Sequence, residues 1–119
     1  MKKPVIAFIL ALFSISLCYG QIDKPVLKRF GMFIGSNNGG TERVTLRYAV
    51  TDAQSLADVM TEMGGISIEN SLLITDPSPA ELDNQFKRIT AMIGQASPNV
   101  KRTELILYYS GHSDEGGLL

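Results

Sequence analysis

Apolar residues fall along this chain in short runs and in three- and four-residue steps, and the two patterns alternate. Arg29-Phe30-Gly31-Met32-Phe33-Ile34-Gly35 is a compact apolar run bounded by glycine, which predicts a buried strand. Ser36-Asn37-Asn38-Gly39-Gly40-Thr41 reads as a loop by composition. Ala53, Leu56, Ala57, Met60 and Met63 then recur at helical spacing, with Asp52, Gln54, Ser55, Asp58 and Glu62 between them, the signature of an amphipathic helix. Thr51 or Asp52 is expected to cap its start, and Gly64-Gly65 to stop it. Ser71-Leu72-Leu73-Ile74-Thr75 predicts a second strand, broken by Asp76-Pro77. Ser78-Pro79-Ala80-Glu81 opens a second helix. Serine caps, proline takes the first turn, and Glu81 completes a reciprocal capping box. Leu82, Phe86, Ile89 and Ile93 follow at helical spacing, with Gly94 near the end. A polar connection from Ala96 to Arg102, containing Pro98, leads to a third strand over Glu104 to Tyr109.

The order strand, helix, strand, helix, strand defines an α/β class. The strands do not alternate strictly, which implies burial on both faces and a parallel sheet covered by helices. Crossovers of a single hand then predict a three-layer α-β-α sandwich with a mainly parallel sheet. Three core strands make about half of such a sheet. Residues 29–119 are therefore expected to be the N-terminal part of a domain, truncated after the third core strand. Residues 21–28 form a polar lead-in, and no internal repeat or low-complexity tract occurs.

The N-terminus changes the chemical inventory. Lys2 and Lys3 precede an almost unbroken apolar core from Val5 to Leu17, and Cys18-Tyr19-Gly20 places small residues before Gln21. Residues 1–20 thus read as a signal peptide cleaved near Gly20, and the protein as secreted or periplasmic, with no membrane association after cleavage. The apolar stretch is shorter than the ~20 residues that span a bilayer. Lipoprotein processing at Cys18 is the weaker alternative, because bulky Leu17 precedes the cysteine. Cys18 is the only cysteine, so residues 21–119 contain none. They hold nine basic and twelve acidic residues, a formal charge of −3, with no basic patch interleaved with aromatics. A nucleic-acid partner is not expected.

The richest chemistry lies at the end of the third strand, in Leu105-Ile106-Leu107-Tyr108-Tyr109-Ser110-Gly111-His112. The strand delivers the only histidine to the carboxyl edge of the sheet, where open α/β folds build their sites. Histidine is the side chain whose unperturbed pKa, roughly 6.5, suits proton transfer near neutrality. Tyr109-Ser110-Gly111-His112-Ser113 lacks the Gly-x-Ser-x-Gly of a serine nucleophile elbow. His112 with Asp114 and Glu115 gives too few ligands for a metal site, and no cofactor is evident. Gly31, Gly35, Gly39 and Gly40 match neither the dinucleotide nor the P-loop spacing. Asp52 reads first as a helix cap. It also falls near the same carboxyl edge, where a carboxylate can bind a cationic substrate group.

Taken together, these segments resemble the caspase-like cysteine peptidases, particularly the bacterial and metacaspase branch. Arg29 to Gly35 is similar to the family's first strand. Leu46-Arg47-Tyr48-Ala49-Val50-Thr51-Asp52-Ala53 resembles its Leu-x-x-Ala/Cys-x-Asn-Asp-Ala entry to the first helix. Leu72 to Asp76 resembles the strand ending Leu-Thr-Asp, and Leu107 to His112 the Tyr/Phe-Ser-Gly-His motif around the catalytic histidine. The resemblance implies a caspase-hemoglobinase fold and cysteine-type endopeptidase activity on protein or peptide substrates. His112 would be the general base for a cysteine, which in caspases follows the histidine by ~50 residues. Asp52 matches a position implicated in an acidic specificity pocket, implying a preference for Arg or Lys before the scissile bond. The backbone amide of Ser113 falls where the family places an oxyanion donor, although glycine is usual there. Thr51 stands where asparagine is common. Calcium dependence is implied by the resemblance alone.

The fragment itself lacks a nucleophile after cleavage and is expected to be inactive. A non-catalytic caspase-like binding or scaffold module is the alternative. An unrelated doubly wound domain binding a small anion is a third reading, which leaves the Ser-Gly-His ending unexplained.

Overall fold

The computed structural model describes residues 27–96 and 100–118. They form a small α/β unit whose strands β1 (Leu27–Gly35), β2 (Ser71–Thr75) and β3 (Arg102–Ser110) make one parallel sheet in the order β2-β1-β3. The glycine-bounded apolar run from Phe30 to Ile34 thus lies in the central strand. The last residues of the three strands are in register, with Gly35 opposite both Thr75 and Ser110. Every loop that follows a strand consequently leaves from one edge.

Successive side chains of a strand point to opposite faces, and β1 uses both. Phe30, Met32 and Ile34 pack with Leu72 and Ile74 of β2 and with Ile89 of helix α2 (Pro79–Gly94). Phe33 packs on the other face with Ile66 and with Ala53 and Ala57 of helix α1 (Ala49–Glu62). The helices therefore cover opposite faces. This follows from connectivity: the β1-to-β2 and β2-to-β3 crossovers travel in opposite directions along the sheet, and crossovers of one hand then place their helices on opposite sides. Phe30, Met32 and Phe33 are fully buried, each contributing on the order of 1.5–3 kcal/mol relative to exposure. Small residues let α1 approach closely. A Cβ on Gly35 would lie 2.5 Å from Val50 Cα and 2.6 Å from the Ala49 carbonyl oxygen.

The second helix starts as its sequence predicts. The Ser78 hydroxyl accepts from the Glu81 amide, and the Glu81 carboxylate accepts in return from the Ser78 amide at 2.8 Å, with Pro79 in the first turn. The Ser78 hydroxyl also donates to the Glu81 carboxylate at 2.7 Å, and this bond, with the smaller help of the Ser78 amide, holds the Glu81 carboxyl below its usual pKa. Gly65 adopts a left-handed φ of 72° after α1, as the expected stop requires.

Other expectations are corrected. Neither Thr51 nor Asp52 caps α1: the helix begins at Ala49, Tyr48 is the N-cap, and no cap-residue side chain bonds its first turn. Instead the Val50 amide donates across 13 residues to Asn37 Oδ1, at 3.2 Å. A long-range acceptor has replaced the local one. Burial on both faces holds for β1 alone, because β2 and β3 are edges. Leu105 and Leu107 on β3 are 44% and 53% exposed, since the cluster under α2 draws on β1 and β2 and takes only Tyr109 from β3. Met63, expected on the apolar stripe of α1, is 79% exposed beyond the helix end. Phe86 is also exposed.

The strand limits also widen. β1 begins at Leu27, inside the expected lead-in, and β3 runs two residues earlier and one later than expected. The segment after His112 forms a hairpin of β4 (Ser113–Asp114) and β5 (Gly117–Leu118), which the sequence did not announce. The expected signal peptide, Cys18 and most of the lead-in lie outside the described residues. Among the described residues no helix is long and apolar enough to cross a membrane.

Candidate functional site

β1 and β3 are neighbours whose carboxyl ends fall in register at one edge of the sheet, with Gly35 opposite Ser110. Open α/β sheets bind ligands outside the carboxyl ends of their strands. The loop after β1 and the Ser110-Gly111-His112 turn meet there. The Ser36 amide donates to the Ser110 carbonyl at 2.8 Å, extending the β1–β3 pairing one residue past the strand.

His112 is half-buried against that loop. Its Nε2 lies 2.8 Å from the Val44 carbonyl oxygen. A carbonyl only accepts, so Nε2 must carry the hydrogen. A neutral imidazole has one donor and one acceptor nitrogen, which leaves Nδ1 with the free lone pair. The Val44 carbonyl thus fixes both ring orientation and tautomer. Gly39 closes the other contact: a Cβ there would lie 2.7 Å from His112 Cγ and 2.8 Å from Nε2, and closer still to Cδ2. On the strand side, the Tyr109 hydroxyl donates to the His112 carbonyl at 2.8 Å and bridges the turn. A side chain at Gly111 would collide with that phenol.

The loop after β1 is itself held at several points. The Leu46 amide donates to the Asn37 carbonyl at 2.8 Å and closes the loop at its base. The Gly40 amide donates to Asn38 Oδ1 at 3.0 Å. The amides of Asn37 and Asn38 both donate to Asp76 Oδ1, at 2.7 and 3.1 Å. Asp76 sits just past β2 with a left-handed φ of 45°, a conformation that Asp and Asn tolerate better than most residues. Its amide donates to the Gly35 carbonyl at 2.8 Å. Arg43 reaches from the loop to Asp114 of the hairpin at 2.9 Å. The Asp114 carboxyl is held below its usual pKa, chiefly by the Gly116 amide and next by Arg43.

The three residues expected to act together are placed unequally. His112 lies just past the carboxyl end of β3, in contact with the loop that follows β1. Ser113 follows as the exposed first residue of β4, in register with Leu118. Asp52 is exposed in the first turn of α1. It connects to the histidine only indirectly, because Asn37, which accepts from the start of α1, also anchors the loop that holds His112. A groove of about 590 Å³ opens on the α2 side of the same edge, between Ser36, Asn38, Gly39 and Gly40 and the Asp76–Pro79 turn, with Tyr109 at its base. It includes neither His112 nor Asp52. Among the described residues no group of three or more His, Cys, Asp or Glu is placed to hold a metal ion.

Sequence reasoning missed Val44, Gly39 and Asp76. Val44 acts through its backbone carbonyl, for which no residue type is a signal. Gly39 stands out in the sequence only as part of a loop, and Asp76 only as a strand breaker. No protein-family model matches the chain, and no curated protein matches it.

Proposed function

We propose that this chain carries the histidine-bearing part of a cysteine endopeptidase domain of caspase-like type, with a caspase-hemoglobinase arrangement built around the parallel sheet. The observation that carries the reading is the bond from His112 Nε2 to the Val44 carbonyl, beside the carboxyl ends of β1 and β3. It leaves Nδ1 as the nitrogen able to take a proton, which is what activation of a thiol requires. In the proposed reaction the thiol proton passes to Nδ1 and the thiolate attacks the scissile carbonyl carbon. The C–N bond then breaks as the imidazolium returns the proton to the leaving amine. The resemblance gives the Ser113 amide an oxyanion role and Asp52 a role in binding Arg or Lys before the scissile bond. The substrate is a protein or peptide met after export, under the secreted or periplasmic reading of residues 1–20.

A non-catalytic scaffold is the second reading, favoured by Ser113 standing where the family carries glycine. One experiment separates the two. The coding sequence past Leu119 is read for a strand ending in cysteine about 40 to 60 residues after His112, and the chain carrying it is assayed on peptides ending in Arg, Lys or Asp. His112→Ala should lower turnover by ~10²–10⁴-fold, and Asp52→Asn should weaken cleavage after Arg and Lys selectively. Turnover unchanged in His112→Ala, or no cysteine at such a strand end, overturns the peptidase reading.

A further inference from the structure

We propose that Asp76, at the end of the strand farthest from β3, is a positioning residue that holds the His112 imidazole in its Nε2–H form. The inference rests on His112 being the base proposed above, and it names what controls that base. Asp76 does not touch the histidine. Its single oxygen Oδ1 accepts from two successive amides, Asn37 at 2.7 Å and Asn38 at 3.1 Å. Those residues begin the loop that carries both groups facing the ring, Gly39 and Val44. The amide of Leu46, two residues past Val44, donates back to the carbonyl of the anchored Asn37. Fixing Asn37 therefore fixes the Val44 carbonyl as well. A charged acceptor serving two amides makes stronger bonds than a neutral one. The left-handed backbone at Asp76 turns its carboxylate back toward β1 instead of onward into α2. β2 and β3 never touch in the sheet, so Asp76 is the means by which the β2 end reaches the site across β1.

The test uses the chain as it stands and needs no catalytic activity. His112 is the only histidine, so its ring signals need no assignment. The measurement is the solvent exchange rate of the Nε2-bound proton by NMR, with core amides such as Met32 and Phe33 as the internal control. Asp76→Gly keeps the left-handed backbone free of strain and removes the carboxylate. It should speed exchange of the ring proton by ~10-fold or more, from loss of two amide bonds to a charged acceptor, with the core amides unchanged. Asp76→Asn retains one oxygen able to accept from both amides and tolerates the same φ, so its ring proton should exchange within a few-fold of the unmodified chain. If Asp76→Gly does not fold, Asp76→Ser makes the same comparison, its hydroxyl being one atom too short to reach the loop. The proposal is overturned if the ring proton exchanges equally slowly without the carboxylate, or if core amides accelerate in parallel. Failure of Asp76→Asn to rescue overturns it too. None of these results depends on turnover, so failure of the peptidase reading and failure of this one are separately visible.

Discussion

Replacing Gly39 with alanine should disturb the imidazole while leaving the fold almost untouched. Gly39 is not among the glycines with a positive φ, so its backbone accepts alanine without strain. Lost freedom in the unfolded chain then favours the variant by ~0.4–1 kcal/mol. Against this stands the added methyl, 2.7 Å from His112 Cγ where carbon atoms prefer ~3.5–4 Å. Because Cδ2 is closer still, the ring has to withdraw by more than about 1 Å, and the Nε2–Val44 bond at 2.8 Å has only about 0.4 Å to spare before it leaves the usual N–H···O range near 3.2 Å. Losing that bond costs ~0.5–1.5 kcal/mol, so the two effects nearly cancel. Thermal unfolding should shift by no more than about 8 °C. The ring nitrogens should respond much more: their ¹⁵N shifts should move toward those of a solvated imidazole. In a chain carrying the nucleophile, a displacement of this size corresponds to a loss of ~10²-fold in turnover. Ring shifts identical to those of the unmodified chain would refute the contact. A collapse in thermal stability would show that Gly39 supports the fold instead of the site.

Gly35→Ala should behave in the opposite way, because its Cβ would meet the backbone of Ala49 and Val50, which cannot rotate aside. A loss of about 1–3 kcal/mol is expected, read as an earlier midpoint in urea, and a midpoint within error of the parent would show that α1 is free to lift off β1. Stability should also fall in acid. Glu104 is held below its usual pKa, chiefly by its bond to Arg29 at 2.7 Å. A carboxylate whose folded pKa is depressed contributes fully above its unfolded pKa, and that contribution is lost as pH falls through the folded value. Arg29→Gln should therefore flatten the decline in melting temperature below pH about 4.5. An identical acid profile in the variant would exclude the Arg29–Glu104 pair as its source.

Local chemistry was legible in the sequence wherever neighbours in the chain decide the outcome. Ser71 to Thr75 forms the strand its composition announces, and Ser78, Pro79 and Glu81 build their helix start unaided. The reading failed where a distant group took over a local role. Asp52 is a good capping residue, yet the helix starts three residues earlier, because Asn37 serves as acceptor and Ala49 fits the close approach at Gly35. The edge strands misled for a related reason. Leu105 and Leu107 look like core residues in an apolar run, and only the sheet order shows that α2 does not cover them. His112 was legible as chemistry, but what orients it was not. The carbonyl of Val44 and the bare backbone of Gly39 are defined by position, and position comes from the loop that Asp76 holds.

The central place of β1 has a consequence for how the protein is made. Arg29 on β1 and its partner Glu104 on β3 are 75 residues apart, and synthesis proceeds at ~5–20 residues per second. The most buried strand of the sheet is therefore born first and waits ~4–15 s for its second neighbour. During that interval β2 can shield one of its edges and the other stays open. An unpaired apolar edge is a template for association with other chains. Nascent chains slowed between Thr75 and Arg102 should accordingly be the most dependent on chaperones, and mutations that delay β3 should reduce yield without altering the stability of the folded protein.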